Sequence, residues 1–445
     1  MEETKGKKIL IFTQFNSADE AYSLNRVVQD QIQMFVSNGY KVAVTVAEGF
    51  TPVGWYAHKD VELRGLPSVP CHNEVKKDPT FEKDVEDLEV AIKEIVSDID
   101  FVITHDIVYQ PSALKHNIAC RRIAKDNPRL KWAHWIHSAT SPYTLGRLRG
   151  IFTDEYANII SEPFPNSYYV FFNHYSIPRI AENFKVSQDV VKIVHHPSDI
   201  YKLLRISDPL VKRLSEKKKF LEADAIAIYP VRLDRGKQVE MIIKTMAMLK
   251  EMGFGVRVVI VDFHSTGGDK VTYRDELKAL SVDWGLNAQE ITFTSEFDPE
   301  WEIQIPHESV AQLFSLSNVF IQPSRSESYS LTTQEFIIIS RGVLVLNQDF
   351  PPFRDIFGPD AIYRKYSSNI DVMNGMDGNT NTEYGPGDAS KEERKHYEKN
   401  YHRETAGMIA NQLRHNQGYS RWIKIKKERN LQYVFEKELQ PLVYG

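Results

Sequence analysis

Short apolar runs, each giving way to a polar loop and then to a helical pattern, recur along the chain and restrict it to one fold class. Lys8–Phe12 (KILIF) is the first such run. Leu24 to Val36 then has helical periodicity, Asn38-Gly39-Tyr40 closes that helix, and Lys41–Ala47 (KVAVTVA) is the next run. This is a βαβ unit, in which the helical crossover makes the two strands parallel. Further strands are expected at Phe101–Thr104, Trp132–Ile136, Tyr168–Phe172 and Val191–Val194. After a break the pattern resumes at Ala225–Tyr229, Val258–Val261, Ile291–Phe293, Val319–Ile321 and Val343–Leu346. Apolar runs without polar alternation are strands covered on both faces. The fold class is α/β, with doubly wound parallel sheets.

The 445 residues are too many for one core, so two domains are expected, with the boundary between about Pro197 and Glu222. Hydrophobic residues at 42% and charged residues at 26% are ordinary for a globular chain. Lys and Arg number 55 against 60 Asp and Glu, a net charge of −5, which gives no general attraction to nucleic acid or anionic lipid. Two cysteines, Cys71 and Cys120, make no disulfide framework and suit a reducing compartment. The first residues, MEETKGKKILIF, lack the apolar stretch of a signal peptide, and no run approaches the ~20 apolar residues of a membrane span. A cytoplasmic location is therefore expected.

The stretch Ile321–Phe336 (IQPSRSESYSLTTQEF) carries the chemistry. A buried strand ends at Gln322-Pro323, a polar turn follows, and a helix begins. Thr332 and Glu335 fit a T-x-x-E capping box just before the apolar Phe336-Ile337-Ile338-Ile339. A polar loop feeding a helix start at the carboxyl end of a strand binds anions, because free N–H groups and the helix dipole point there. Glu327 and Glu335 flank that turn. Carboxylates accept hydrogen bonds from sugar hydroxyls, so amides and carboxylates together suit a nucleotide-sugar.

A second loop has matching character. Arg232 follows the Ala225–Tyr229 strand, Gly236 allows a tight turn, and Lys237 stands just before a helix. Two cations and free amides at a helix start make a diphosphate cradle. In the first half, His105 and His137 each follow a strand, and Asn16-Ser17-Ala18 occupies the loop after the first strand. No G-x-G-x-x-G is present there, so the dinucleotide fingerprint is absent. Asp98-Ile99-Asp100 has the D-x-D form of a metal motif but precedes a strand, which makes it a solvated lead-in. His195 and His196 are adjacent and point apart, a poor metal pair. No metal site and no cofactor is expected.

The Ile321–Phe336 stretch resembles the signature of the retaining GT-B glycosyltransferases of family 4, glycosyl transferases group 1, roughly P-S-x-x-E-G-F-G-L-x-x-x-E. Pro323, Ser324, Glu327, Leu331 and Glu335 fall in register. The resemblance implies that Glu327 contacts the donor sugar, that Glu335 binds the ribose, and that Ser328, Tyr329, Ser330 and Leu331 line the donor site. Ser328-Tyr329-Ser330 replaces Gly-Phe-Gly, which keeps the amides and loses the glycine freedom at φ > 0. Arg232-Leu233 and Lys237 match G-R-L-x-x-x-K-G, whose cations neutralise the departing diphosphate. His137-Ser138 resembles the family histidine beside the reaction centre. The implied catalytic set is Glu327, His137, Arg232 and Lys237, and the implied acceptor side is Asn16, Ser17, His105, His137 and Ser138. The implied fold is GT-B: two Rossmann-like domains facing across a cleft. Residues 1–200 and a helix over about 419–445 that crosses back form the first; residues 201–418 form the second. Retention, independence of metal and a UDP- or GDP-linked donor come with the resemblance.

The acceptor stays open at this stage. A glycan, a lipid-linked glycan, a small polyol and a hydroxymethylated base of viral DNA all fit. DNA is not indicated by net charge, although Arg421, Lys424, Lys426 and Lys427 make the terminal helix basic. A sugar-phosphate enzyme of phosphorylase or epimerase type and a non-catalytic sugar-binding protein are the alternatives. Ser367–Lys391, rich in Asn, Gly and Asp, is expected to be a loop insertion.

Overall fold

The computed structural model describes residues 6–19, 21–71, 79–140, 144, 154–264, 267–325, 327, 329–366 and 390–444. Two compact units result, one of residues Met1–Ser198 with Arg429–Gly445, the other of Asp199–Glu428. The loop expected over 367–391 lies outside the described residues up to 389; Lys391 already opens the helix Lys391–His415, which Ser390 and Glu393 cap reciprocally.

The first unit is built on seven parallel strands: β1 (Lys8–Phe15), β2 (Lys41–Ala47), β3 (Val61–Leu66), β4 (Phe101–His105), β5 (Lys131–Trp135), β6 (Ser167–Phe171) and β7 (Val191–Ile193). Their order is β3-β2-β1-β4-β5-β6-β7. The second has six: β8 (Ala225–Pro230), β9 (Val256–Val261), β10 (Ile291–Phe293), β11 (Val319–Gln322), β12 (Val343–Asn347) and β13 (Ile362–Arg364), in the order β10-β9-β8-β11-β12-β13. The chain is thus α/β with two Rossmann-like, doubly wound sheets, the organisation expected of a GT-B chain. Two strands escaped the sequence pattern. β3 reads VELRGL, with only Leu66 buried, and β13 has only three half-buried residues. Both are edge strands, which do not need apolar runs.

Each sheet reverses its order once. The reversal falls between β1 and β4 in the first unit and between β8 and β11 in the second. Right-handed crossovers then send the connections from those neighbouring strands to opposite faces, which opens a crevice at their carboxyl ends. The loops after β1, β4, β8 and β11 are therefore the places to look for ligands.

Asp98 and Asp100 sit at the opposite, amino ends of the strands. Asp98 pairs with Lys8 at 2.7 Å and Arg64 at 2.8 Å, and these cations hold its carboxyl well below the usual range. Asp100 accepts the Lys8 backbone N–H at 2.7 Å. The expected terminal helix is interrupted. Gln417–Glu428 belongs to the second unit, and the chain enters the first at Arg429-Asn430, where Asn430 caps the next turn. Phe435 then packs edge-on against Phe35 at 5.7 Å and Tyr40 at 5.8 Å. This apolar anchor is why the last residues follow the first sheet.

The helix after β11 is Leu331–Ile339, and only Thr333 and Phe336 of it are buried. Phe336 stacks on Phe320 of β11 at 5.0 Å and meets Phe314 edge-on at 5.8 Å. Phe336 is thus the pin that sets the helix over its strand. Gly342 lets that register close: a Cβ there would stand 2.6 Å from the Asn318 backbone and 2.7 Å from the Phe336 ring. Gly342→Ala should therefore cost about 3 kcal/mol, measured by urea unfolding. An unshifted midpoint would show that the strand and helix are not held this closely.

Candidate functional site

In the second unit the two loops at the β8/β11 reversal are joined at three levels. The Arg325 backbone N–H donates to the Gly236 carbonyl at 3.0 Å. The Gln238 side chain donates to the Pro323 carbonyl at 2.5 Å. The Lys237 ammonium forms an ion pair with the Glu327 carboxylate. The sequence-derived cradle residue Lys237 and sugar residue Glu327 thus meet directly. Arg232 stays 59% exposed and donates from Nε to Asp234 at 2.7 Å, leaving its guanidinium reachable.

The turn between them rests on a buried polar chain. The Tyr229 hydroxyl donates to Gln322 Oε1 at 2.5 Å, and Gln322 Nε2 donates to the Ser330 hydroxyl at 2.9 Å. Ser330 and Thr333 share a further hydroxyl bond of 2.8 Å. These bonds answer the question raised by the replaced glycine. Ser330 adopts φ +65°, a left-handed conformation that costs a residue with a Cβ about 1–2 kcal/mol. Its side-chain hydrogen bonds offset that cost by a similar amount.

The capping box expected at Thr332 and Glu335 does not form. Ser330 is the N-cap, with no side-chain cap bond, which places Thr332 within the first helical turn. Glu335 instead pairs with His307 Nε2 at 3.0 Å, and His307 is 77% exposed. Tyr329 and Leu331 are exposed at 45% and 65%, so side chains at this helix start face solvent. Ser328 lies outside the described residues. Of the apolar run Phe336–Ile339, Phe336 is buried and Ile339 packs partly buried against the core, while Ile337 and Ile338 are exposed.

In the first unit the β1/β4 reversal gathers histidines. His105 ends β4 and is buried. It bonds Gln31 Oε1 from Nε2 at 2.9 Å and meets His137 Nε2 through Nδ1 at 3.1 Å. With the Gln31 oxygen accepting, His105 carries its proton on Nε2 and accepts one from His137. His137 stacks on His196 with ring planes 3° apart, and His196 lies against Phe172. Burial first, and neighbouring imidazoles second, push His105 far below its ordinary range and His137 to about 4; burial and the charges of His195 and Arg26 lower His196. Ser138 accepts the Thr140 N–H at 3.2 Å. Asn16 and Ser17 are exposed on the loop after β1, and no hydrogen bond among the described residues ties them to the histidines.

Sequence reasoning missed the residue after His105. Asp106 has φ +59°, and burial raises its carboxyl to about 6. It also missed Gln31, His307 and Asp234, which hold His105, Glu335 and Arg232. No local pattern marks Gln31 and His307, because each is chosen by a partner distant in sequence, whereas Asp234 lies only two residues from Arg232.

Residues 211–366 match the family model for glycosyl transferases group 1, a segment that spans β8 through β13 and contains both loops of the β8/β11 crevice. No curated protein matches the chain. Among solved structures the chain is similar to Alr3699/HepE of Anabaena in complex with UDP, at 12% identity over 99% of this chain and 100% of that one, with a TM-score of 0.33. A glycosyltransferase from Rickettsia africae is 13% identical over 99% and 98%, with a TM-score of 0.33. Sucrose-phosphate synthase from Thermosynechococcus elongatus is 15% identical over 98% and 96%, with a TM-score of 0.34. The fold given above rests on strand order and pairing. No helix among the described residues is long and apolar enough to cross a membrane.

The histidine array makes stability depend on pH. Each depressed imidazole is neutral when folded and takes a proton more readily when unfolded, so its contribution is full above about pH 6.5 and is lost as pH falls toward 4. His105, His116, His134, His137 and His196 share this sign in the first unit. Asp106, raised to about 6, opposes them as one group against five. The unfolding temperature of the first unit should fall by several degrees between about pH 7.5 and about pH 5, followed by tryptophan fluorescence. A midpoint that rises on acidification would contradict the assignment.

Proposed function

We propose that the protein is a retaining glycosyltransferase that moves a sugar from a nucleotide-diphosphate-sugar to a hydroxyl acceptor. One observation carries the reading: the ion pair of Lys237 and Glu327 across the β8/β11 crevice, within the segment that matches glycosyl transferases group 1. A nucleotide-sugar needs cations for its diphosphate and carboxylates for its hydroxyls, and this crevice supplies one of each in contact. In the free protein Lys237 neutralises Glu327. A diphosphate outcompetes a single carboxylate for the ammonium, which releases Glu327 toward the sugar hydroxyls.

Arg232 and Lys237 then stabilise charge on the departing diphosphate, the work that a divalent ion does in other transferases. Metal independence is therefore part of the proposal. The backbone N–H groups at the start of Leu331–Ile339, where no side chain caps the helix, suit a phosphate oxygen. Glu335 takes the ribose diol of a UDP- or GDP-linked donor, exchanging its bond to His307. His137 lies on the acceptor side with His105 and Ser138. The departing phosphate receives the acceptor's proton, so no separate base is required. The free thiols of Cys71 and Cys120 support a cytoplasmic setting.

Calorimetry with UDP and GDP tests this reading. The double variant Arg232→Ala, Lys237→Ala should lose about 3–6 kcal/mol of nucleotide binding while remaining folded. Glu335→Gln should weaken binding of the free nucleotide, because an amide offers one acceptor oxygen where the carboxylate offers two. Glu327→Gln should leave nucleotide affinity nearly unchanged and lower turnover of the intact donor. Turnover should persist in excess chelator. A folded double variant that binds nucleotide like the wild type would refute the cradle, and turnover restored only by a divalent ion would refute metal independence.

A further inference from the structure

A buried amide lies at the carboxyl end of β11, and none of the chemistry assigned so far uses it. Gln322 is 2% exposed, at a position where the apolar run Val319–Ile321 would continue. Burying a side-chain amide costs free energy unless its oxygen and its nitrogen are both hydrogen-bonded. Gln322 meets that condition. Its Oε1 accepts from the Tyr229 hydroxyl of β8 at 2.5 Å and from the Ser324 hydroxyl at 3.0 Å. Its Nε2 donates to the Ser330 hydroxyl at 2.9 Å, which leaves the Ser330 hydrogen for Thr333 Oγ1 at 2.8 Å. Tyr229, Ser324 and Thr333 are buried as well.

The two ends of this amide hold the two ends of one loop. Ser324 opens the loop and Ser330 closes it, with Glu327 between them. The opening is braced further. The Pro323 carbonyl accepts from the Gln238 side chain, the Ser324 carbonyl accepts from the Asn347 amide at 3.0 Å, and the Arg325 N–H donates to the Gly236 carbonyl. The closing residue has the disfavoured backbone. Ser330 holds φ +65° and ψ +70°, a conformation that glycine takes freely and a residue with a Cβ resists. The helix Leu331–Ile339 starts at the next residue, so these two angles set where its first N–H groups point. The bond from Gln322 links that left-handed serine to the braced end of the loop.

We infer that Gln322 is a positioning residue for the donor: it clasps the loop that carries Glu327 and keeps Ser330 in its left-handed turn, so that Glu327 and the helix-start N–H groups are in place before a nucleotide-diphosphate-sugar arrives. This rests on the glycosyltransferase reading above. Gln322 is enclosed, so it acts through the loop and not by touching the donor. A loop that must be ordered at the moment of binding loses affinity to that ordering, and a pre-shaped loop does not. The clasp achieves by hydrogen bonding what a missing side chain at position 330 would achieve by conformational freedom. Ser330→Gly therefore makes the clasp dispensable.

Gln322→Met is the first variant, because it keeps the length of the side chain and removes the bonds at both its ends. Affinity for UDP and GDP is measured by calorimetry well below the unfolding temperature, with the folded state checked by circular dichroism. Gln322→Met should weaken nucleotide binding about tenfold, the order expected when buried hydrogen bonds that shape a site are lost. Ser330→Gly alone should bind within about threefold of the wild type, and added to Gln322→Met it should restore most of the lost affinity. A glutamine that serves stability alone would lower the unfolding temperature, leave the affinity of the folded protein unchanged, and gain nothing from Ser330→Gly. Should Gln322→Met fail to fold, Tyr229→Phe removes one hydroxyl from the same clasp and carries the comparison, with a loss of the same sign and the same rescue. Wild-type affinity in the folded variant, or a loss that Ser330→Gly does not reverse, would overturn the inference and leave the donor site standing. A wild type that binds neither nucleotide would overturn the glycosyltransferase reading and this inference together.

Discussion

A crossover that leaves a parallel strand must cover one face of the sheet or the other, and its handedness is fixed. Wherever strand order reverses, neighbouring connections part and leave a crevice that no apolar side chain fills. The protein has one such reversal in each sheet, and every charged group assigned a chemical role lies beside one of them. The alternation of apolar strands and helices that folds the chain therefore also decides where its chemistry is placed. Arg232 and Lys237 come from one side of the second crevice and Glu327 from the other. The Arg325 N–H bond to the Gly236 carbonyl and the Gln238 bond to the Pro323 carbonyl hold the two sides together.

In the ligand-free protein each of these charges already has a partner: Arg232 has Asp234, Lys237 has Glu327, and Glu335 has His307. Such pairs lower the cost of gathering charge in one crevice, and because they are partly exposed they contribute little to stability. Partners that are weakly held exchange easily. On the proposed function, a diphosphate-sugar offers an anion to the cations and hydroxyls to the carboxylates, so its arrival would exchange these pairs for ligand contacts. The first crevice is built on the opposite plan. Its imidazoles are kept neutral by burial, and burial raises the Asp106 carboxyl to about 6.

Much of this was legible in the sequence. The buried strands announced themselves as unbroken apolar runs, and the spacing from Arg232 to Lys237 and from Glu327 to Glu335 singled out two loops that meet at the β8/β11 reversal. Edge strands β3 and β13 were not legible, because an edge needs no apolar run. The T-x-x-E pattern misled, since Ser330 ends the turn in a left-handed conformation and starts the helix one residue before Thr332 enters it. The terminal helix read as continuous because its periodicity spans Arg429-Asn430, where the chain passes from one unit to the other. Asp106 was invisible for a different reason. Its burial and left-handed backbone belong to the turn that ends β4 beside β1, which is not a property of a sequence window.

Hydrogen exchange of the backbone, read by mass spectrometry with and without UDP or GDP, tests the central claim most directly. The two loops of the β8/β11 crevice are far apart in the chain, and only a ligand seated between them slows exchange in both. The account predicts protection within residues 231–238 and within residues 323–335 at the same nucleotide concentration, with β10 and β13 at the sheet edges unchanged. Protection confined to one loop, or found elsewhere in the second unit, would contradict it.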